Sequence, residues 1–193
     1  MGRPPAYSTE QFLDAATTLF AEGGARAVTM AATAKAAGAP SGSIYHRFAD
    51  RPALLAALWI GTLRAFQDSY IATLGEAATL DTAVAAAASV VHWCRANPAR
   101  ARVLDAGLQA FSPALWSAAA TAELARAEDE LKAALKHATA TLPSTTGCTA
   151  EDVVLALVEV PRAVIHRHLT AGRTPPPKAA ELVARSARKL LRP

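Results

Sequence analysis

Hydroxyl-bearing, aromatic and basic side chains are concentrated in one short stretch in the first quarter of the chain. The stretch consists of Ser41, Gly42, Ser43, Ile44, Tyr45, His46 and Arg47. Small residues at the start of a helix allow its backbone to approach the base edges in the major groove of DNA, where serine hydroxyls can donate or accept hydrogen bonds. Tyrosine, histidine and arginine further along can bind phosphate oxygens. This order of residue types predicts the recognition helix of a helix-turn-helix motif.

Two short helices that meet across a tight turn are predicted to position this stretch. Thr29 can cap the first of them, which we expect to end near Ala36. Gly38 can take the positive φ of the turn, and Pro40 opens the second helix, which we expect to end near Phe48.

A longer helix is predicted before this pair. Ser8 can cap it, with Gln11 three residues later as in a capping box. Phe12 and Phe20 fall on its apolar face, and Gly23-Gly24 supplies its end.

The rest of the chain is also predicted to be helical. Alanine and leucine recur at helical spacing and no long stretch alternates with a period of two, so we expect an all-α fold of about nine helices. Three helices are predicted to begin at a polar cap followed by proline, at residues 50–52, 97–98 and 112–113. We expect a turn-rich loop over residues 142–148, followed by an eighth helix that Thr149 caps with Asp152 three residues later. A kink is expected at Pro161 within that helix because proline lacks an amide N–H.

Residues 12–58 as a set resemble the N-terminal domain of the TetR family of regulators. The matching residues, in the family's order, are Leu13-Asp14-Ala15-Ala16, Leu19-Phe20, Gly23-Gly24, Thr29, Ala37-Gly38, Gly42-Ser43-Ile44-Tyr45-His46-Arg47-Phe48 and Arg51 with Leu54-Leu55. The remaining two thirds of the chain match only in their helical pattern. The resemblance implies a helix-turn-helix DNA-binding domain over residues 1–49 and a ligand-sensing and dimerisation domain over residues 50–193.

The resemblance also implies individual roles. Thr29 would bind a phosphate at the N-terminus of the second helix, where backbone N–H groups favour an anion. The residues expected to lie against the bases are Ser41, Gly42 and Ser43, and those expected to bind phosphates are Tyr45, His46, Arg47 and Arg51. Arg51 stands where the family usually has lysine. Ser41 stands where the family often has a basic residue, which weakens the electrostatic attraction to DNA.

Aromatic residues on the later helices are candidates for the lining of a small-molecule pocket, since such pockets are mostly apolar and aromatic. The candidate lining residues are Phe66, Trp93 and Phe111, with His92 and Gln109 as polar anchors. The same aromatic residues are equally compatible with the ordinary core of a helical bundle.

The last two helices each carry an apolar stripe that needs a partner. The stripes contain Val154, Leu157, Pro161 and Ile165 on one helix, and Val183, Ala187 and Leu190 on the other. We expect both helices to pair with the same helices of a second subunit in a four-helix dimer interface. Two recognition helices about 34–36 Å apart could then enter successive major grooves of a near-palindromic site.

Charge is unevenly distributed along the chain, which has a formal net charge of +4. Residues 1–51 contain five basic and four acidic residues, whereas residues 161–193 contain eight and one. A basic total suits a polyanionic partner, although cations also stabilise the C-terminal end of a helix. No apolar run is long enough to cross a membrane and no signal-peptide pattern is visible, so we expect a cytoplasmic protein.

No pattern of catalytic or metal-binding residues is visible in the sequence. It contains neither a Gly-rich phosphate loop nor a nucleophile elbow, so we expect neither enzyme activity nor a cofactor. His166 and His168 are two residues apart on a helix and do not share a face, which disfavours a metal site. Cys94 and Cys148 are expected to be free thiols that fill apolar space.

The sequence therefore predicts a DNA-binding transcriptional regulator that binds a near-palindromic operator as a homodimer and is released by a small-molecule effector. Repression rather than activation is implied by the resemblance alone. The alternative is a helical small-molecule-binding protein or enzyme whose N-terminal head no longer binds DNA, and the nearly neutral charge of residues 1–51 keeps that alternative open.

Overall fold

The computed structural model describes residues 7–76 and 78–192, and every regular element within those ranges is a helix. The α-helices are α1 (Thr9–Ala27), α2 (Met30–Ala36), α3 (Arg51–Leu74), α4 (Leu80–Ala96), α5 (Pro98–Asp105), α6 (Ala118–Thr146), α7 (Ala150–Val154), α8 (Val160–Leu169) and α9 (Pro177–Leu191). Short 3-10 turns lie at Ser43–His46, Leu108–Phe111 and Pro113–Leu115, and a π-helical turn at Leu155–Glu159 joins α7 to α8. The predicted all-α fold is confirmed. Over the part of the chain that the structure describes, no helix combines the length and the apolarity needed to span a bilayer.

Packing divides the chain into two compact units. The first contains the residues up to Leu63 together with Arg102–Ala125, and the second contains Arg64–Ala101 together with the residues from Arg126 onwards. The boundary that the sequence predicts at residue 49 does not coincide with these packing units, and the assignment of separate functions to its two sides stays a prediction.

The first unit has an aromatic core. Phe12, Ile44 and Phe111 are fully buried there. The Phe111 ring stacks on that of Phe20 with centroids 4.8 Å apart, and it lies 5.0 Å from the Trp59 ring. Burial of each such side chain stabilises the fold by roughly 1.5–3 kcal/mol, so the segment that carries Phe111 is part of the scaffold that supports α1 and α3.

The second unit is built around the contact between α4 and α9, with α7, the π-helical turn and α8 packed beside them. Its buried core includes both free cysteines, Cys94 and Cys148, in the apolar role expected for them. An Nη1–H of Arg95 donates to the carbonyl oxygen of Pro175 at 2.6 Å, which fixes the connector that precedes α9.

The predicted helix caps are confirmed at three helices. Ser8 and Gln11 form a reciprocal capping box at α1, and the Thr29 side chain accepts a hydrogen bond from the amide of Ala32 at α2. Thr149 and Asp152 form a second capping box at α7. Hydrogen bonds from the backbone and side chain of Thr149 lower the pKa of the Asp152 carboxyl group.

Two boundaries predicted for the later helices are wrong. The expected loop over residues 142–148 is mostly helical, because α6 continues to Thr146 and ends at Gly147, whose φ is 81°. The hydroxyls of Ser144 and Thr146 donate to helix carbonyls, so these residues are satisfied within the helix. The helix expected to start at Pro113 begins only at Ala118, after a 3-10 turn.

A π-helical turn lies next to Pro161, where the sequence predicts a kink. The turn at Leu155–Glu159 directly precedes α8, and Pro161 lies in the first turn of α8. Proline at that position needs no amide hydrogen bond, and the wider π turn accommodates the disturbed hydrogen-bond pattern upstream.

Candidate nucleic-acid interface

The turn between α2 and the stretch of residues 41–47 has the predicted positive φ at its glycine, and the predicted cap precedes it at the start of α2. Thr29 is exposed at the N-terminus of α2, and its Oγ1 accepts from the amide of Ala32 at 3.1 Å. Gly38 has φ of 67°, the left-handed value that favours glycine at a tight turn.

The recognition element is shorter than the sequence predicts. Instead of a helix from Pro40 to Phe48, the structure has a single 3-10 turn at Ser43–His46. The Ser43 hydroxyl donates to the carbonyl oxygen of Pro40 at 2.6 Å. Serine that bonds to nearby backbone in this way competes with regular helix formation, and Gly42 adds little helix propensity.

One side of this turn is anchored and the other is exposed. Ile44 is fully buried and Phe48 is 4% exposed, whereas Tyr45 is 59% exposed. The other predicted contact residues of the stretch are exposed at Ser41, Gly42, His46 and Arg47, and half-buried at Ser43. The turn therefore presents hydroxyl, aromatic and basic groups from a fixed apolar base.

Tyr7 supports this turn, a role that is not among the predictions from the sequence. Its hydroxyl donates to the carbonyl oxygen of Gly38 at 3.0 Å, and its carbonyl oxygen accepts from Nη2 of Arg47 at 3.2 Å. The Tyr7 ring lies 6.3 Å from that of Phe12. A hydrophobic residue just before the Ser8 cap that contacts the fourth helical residue is a hydrophobic staple, and that pattern was visible in the sequence.

Arg51, which is predicted to bind a phosphate, uses two of its donors within the chain. Its Nε–H donates to the carbonyl oxygen of Val28 at 2.8 Å, and an Nη2–H donates to that of Ala25 at 2.5 Å. The last carbonyls of a helix have no partner within the helix. In this structure Arg51 fixes the start of α3 to the end of α1, and Asp50 caps α3 through the amide of Ala53.

The five predicted pocket residues do not form one site within either unit. Phe66 and Trp93 of the second unit meet edge to face with centroids 5.3 Å apart, and Phe66 lies 5.9 Å from Tyr70. His92 is exposed. Gln109 and Phe111 belong to the first unit, where Gln109 is exposed and Phe111 is a core residue. Among the predicted pocket residues, Phe66 and Trp93 are the pair whose rings are in contact.

The second unit contains a cleft that the sequence did not indicate, with a volume of about 280 Å³. The residues that line it are Ala78, Thr79, Leu80, Thr141, Thr145, Thr146 and Arg192.

Within residues 7–76 and 78–192, no group of three or more His, Cys, Asp or Glu side chains is arranged to hold a metal ion.

The apolar stripes assigned to a dimer interface are largely internal. The stripe residues buried in the second unit are Leu157, Pro161, Ile165, Val183 and Ala187, while Leu190 is half-buried. These five side chains pack within their own chain, and their assignment to a dimer interface stays a prediction. Of the predicted interface residues, Val154 at the end of α7 is 43% exposed. Leu155, which follows it in the π-helical turn, is 37% exposed, and Leu182, next to Val183 on α9, is 36% exposed.

A family model described as bacterial regulatory proteins of the tetR family matches residues 12–58. The match covers the helix-turn-helix and the first part of α3. Among curated protein sequences, none matches this chain.

Several solved structures are similar to this chain over nearly its whole length. A TetR family transcription regulator from Marinobacter aquaeolei VT8 shares 17% identity with a TM-score of 0.69, covering 94% of this chain and 93% of that one. The regulator FadR from Bacillus subtilis in complex with stearoyl-CoA shares 16% identity with a TM-score of 0.72, covering 95% and 97%. AmtR from Mycobacterium smegmatis shares 25% identity with a TM-score of 0.63, covering 99% and 89%. These likenesses establish the fold.

Proposed function

We propose, from the premise that residues 12–58 are the N-terminal domain of a TetR family regulator, that this protein is a ligand-responsive transcriptional repressor. It binds a near-palindromic operator in the cytoplasm as a homodimer and leaves it when a small molecule binds. The observation that carries the proposal is the exposed set of hydroxyl, aromatic and basic side chains on the turn anchored by Ile44 and Phe48.

The chemistry of the turn supports contact with both bases and phosphates. Ser41 and Gly42 present little side-chain bulk, so the backbone can come close to base edges. Arg47 has five N–H donors and uses one of them on the carbonyl oxygen of Tyr7, which leaves others for a phosphate. Thr29 offers an exposed helix N-terminus to a second phosphate.

The effector is proposed to bind in the second unit beside Phe66 and Trp93. Both rings are half-buried and meet edge to face, so a ligand can extend an aromatic contact that already exists. The similar FadR structure from Bacillus subtilis holds stearoyl-CoA, a small molecule with a long apolar chain. This supports an effector site in a helical body of this kind.

The dimer interface is proposed to use the exposed apolar residues of the same C-terminal helices. Val154, Leu155 and Leu182 are the large apolar side chains of α7, the π-helical turn and α9 that remain more than a third exposed in the described chain. A two-fold partner presenting the same residues would cover them.

The test is salt-dependent binding to duplex DNA taken from upstream of the protein's own gene. Arg47→Ala is compared with Arg185→Ala, which removes the same charge from an exposed i, i+4 ion pair with Glu181 on α9. We expect Arg47→Ala to reduce the slope of log K against log salt by about 0.9 for each phosphate that the side chain no longer neutralises, and Arg185→Ala to leave it unchanged. Wild-type protein that shows no preference for that DNA would favour the alternative, a helical binding protein whose head has lost its DNA function.

A further inference from the structure

The cleft in the second unit combines threonine hydroxyls with one guanidinium group. Thr141, Thr145 and Thr146 line it from the end of α6, and Arg192 lines it from the residue after α9. Among the described residues that line the cleft, none carries a negative charge. The lining is therefore cationic and rich in hydroxyl groups, which suits an anionic ligand.

The charge of Arg192 is not neutralised by the described part of the chain. Its side chain is exposed, and no hydrogen bond or ion pair joins it to another described residue. The acid beside the cleft, Asp81, is already paired, since Nη2 of Arg188 lies 3.3 Å from its Oδ1. The planar fork of a guanidinium group matches two oxygens of a phosphate or a carboxylate, so Arg192 is available to an oxyanion.

The threonine hydroxyls of α6 divide into one available donor and two acceptors. The Thr141 hydroxyl has no hydrogen-bond partner among the residues that the structure describes. The hydroxyls of Thr145 and Thr146 both donate to the carbonyl oxygen of Leu142, at 3.1 and 2.9 Å. Because a hydroxyl has a single hydrogen and two lone pairs, these two groups can accept from a ligand but have no hydrogen left to donate. They call for O–H groups on the ligand, whereas Thr141 calls for an acceptor.

The cleft is larger than an inorganic ion needs. Its volume of about 280 Å³ corresponds to roughly nine water molecules at about 30 Å³ each. This volume lies just below the range of ordinary small-molecule sites. An oxyanion attached to a short hydroxylated body therefore fits the space as well as the polar groups.

One wall of the cleft has an unfavourable backbone conformation. Ala78 has φ of 41°, in the left-handed region that disfavours residues other than glycine. The residue is 1% exposed, so packing holds it in place. Strain of this kind persists where the surrounding structure fixes it, and it is concentrated at functional sites.

We propose that this cleft binds a small oxyanion that also carries hydroxyl groups, either a phosphorylated polyol or a polyhydroxy carboxylate. Arg192 and Thr141 donate to the anionic group, and Thr145 and Thr146 accept from the hydroxyl groups of the ligand.

This site is separate from the effector site proposed beside Phe66 and Trp93. Leu80 lines the cleft at the start of α4, and Trp93 lies near the end of the same helix, about 20 Å further along at 1.5 Å per residue. The inference does not depend on the proposed DNA-binding function, because ligand binding is measured on the full chain without DNA.

The test measures binding by isothermal titration calorimetry, with glycerol phosphate and glycerate as probes. The two probes have similar hydroxylated bodies and differ in the anion, so they distinguish a phosphate from a carboxylate. Inorganic phosphate and glycerol serve as the separate halves. We expect one of the two probes to bind the wild-type protein at least about tenfold more tightly than either half, because only the intact molecule uses both sets of hydrogen bonds.

The contribution of the charge is measured with Arg192→Gln and its matched control Arg185→Gln. Arg185 lies on α9 outside the cleft and forms an exposed ion pair with Glu181. We expect Arg192→Gln to weaken binding of the probe by about tenfold or more, the size of a hydrogen bond to a charged group. Arg185→Gln should leave the affinity unchanged, and both proteins should fold like wild type because both side chains are exposed.

The contribution of the donor hydroxyl is measured with Thr141→Val and its control Thr139→Val. The Thr139 hydroxyl donates to the carbonyl oxygen of Lys136 within α6 and does not line the cleft. We expect Thr141→Val to weaken binding by about fivefold, the size of a neutral hydrogen bond, and Thr139→Val to leave the affinity unchanged. Shifts of the threonine methyl signals in NMR spectra locate the bound probe.

The inference would be overturned by a wild-type protein that binds neither probe at millimolar concentration. Inorganic phosphate that binds as tightly as both probes would show an adventitious ion only, and an equal loss in Arg185→Gln would show diffuse charge rather than a site. Methyl shifts confined to threonines outside the cleft would also overturn it. None of these results bears on the proposed regulation of transcription, and a failure of DNA binding leaves this inference intact.

Discussion

Arg47 and Arg51 lie four residues apart, yet their guanidinium groups have different surroundings. Arg47 is exposed and makes one hydrogen bond to the carbonyl oxygen of Tyr7, so it retains donors for a phosphate. Arg51 is partly buried and donates to two carbonyl oxygens at the end of α1. At the scale of single residues, Arg47 therefore belongs to the exposed surface of the turn, whereas Arg51 contributes hydrogen bonds that hold α3 against the end of α1.

Arg51→Ala is therefore expected to lower the stability of the head more than its contact with DNA. Removal of two hydrogen bonds from a charged donor should reduce the free energy of unfolding by about 2 kcal/mol, measured by urea denaturation. The salt slope of DNA binding should stay at its wild-type value under conditions where the variant is folded. A reduced slope with wild-type stability would instead restore Arg51 to the phosphate contacts.

Thr33→Val is expected to stabilise the protein. Thr33 is fully buried in α2, and its Oγ1 has no hydrogen-bond partner among the described residues. Valine has nearly the same shape without the unsatisfied hydroxyl, so the free energy of unfolding should rise by about 1 kcal/mol. Thr17→Val is the matched control, because the buried Thr17 hydroxyl donates to the carbonyl oxygen of Leu13 at 2.7 Å and its removal brings no such gain. A thermal midpoint for Thr33→Val at or below that of wild type would contradict the argument.

At the scale of elements, local signals were predicted well. The caps at Ser8, Thr29 and Thr149 depend on residues no more than three positions away, and all three are confirmed. The 3-10 form of the recognition turn was not predicted, because the hydrogen bond from the Ser43 hydroxyl to Pro40 competes with helix formation over a few residues. The π-helical turn was not predicted for another reason: proline indicates that the helix is disturbed at Pro161, but it does not indicate whether the helix kinks or takes a π-helical turn.

The two turn glycines should respond differently to substitution. A Cβ added at Gly42 meets nothing within 4 Å, and the residue has φ of −75°, so Gly42→Val should fold normally. We expect it to abolish specific DNA binding, since a branched side chain would stand between the backbone and the bases. Gly38 has φ of 67°, so Gly38→Val should lose stability by about 1 kcal/mol or more through backbone strain. Circular dichroism with gel shifts separates the two effects, and wild-type operator affinity in Gly42→Val would remove this turn from the groove.

At the scale of the whole molecule, the sequence shows that a helix face is apolar and does not show what covers it. The stripe of α9 was assigned to a second subunit, but Val183 and Ala187 are buried against the chain's own helices. In the same way, Phe111 was considered for a ligand pocket and lies in the core of the first unit. The spacing of apolar residues indicates only that one face of a helix is buried. Which element covers that face depends on the tertiary packing of segments that are far apart in sequence.

Adjacent residues of α9 provide a sharp test of the dimer interface. Leu182 is 36% exposed, and Val183 is fully buried. Leu182→Glu places a negative charge in the proposed two-fold interface, close to the same glutamate of the second subunit. Because the two charges repel each other, we expect folded monomers. Val183→Glu places an unpaired charge in the core, which costs several kcal/mol, so we expect loss of cooperative unfolding rather than a clean monomer.

Sedimentation at micromolar concentration distinguishes these outcomes when combined with circular dichroism. Monomers of Leu182→Glu should bind the full operator far more weakly than the wild-type dimer does, because one head can no longer be held in register with another on successive major grooves. They should keep the affinity of wild type for a single half-site, since that contact involves only the residues of one turn. A Leu182→Glu protein that remains dimeric would move the interface away from α9, and Val154→Glu would then show whether α7 carries it alone.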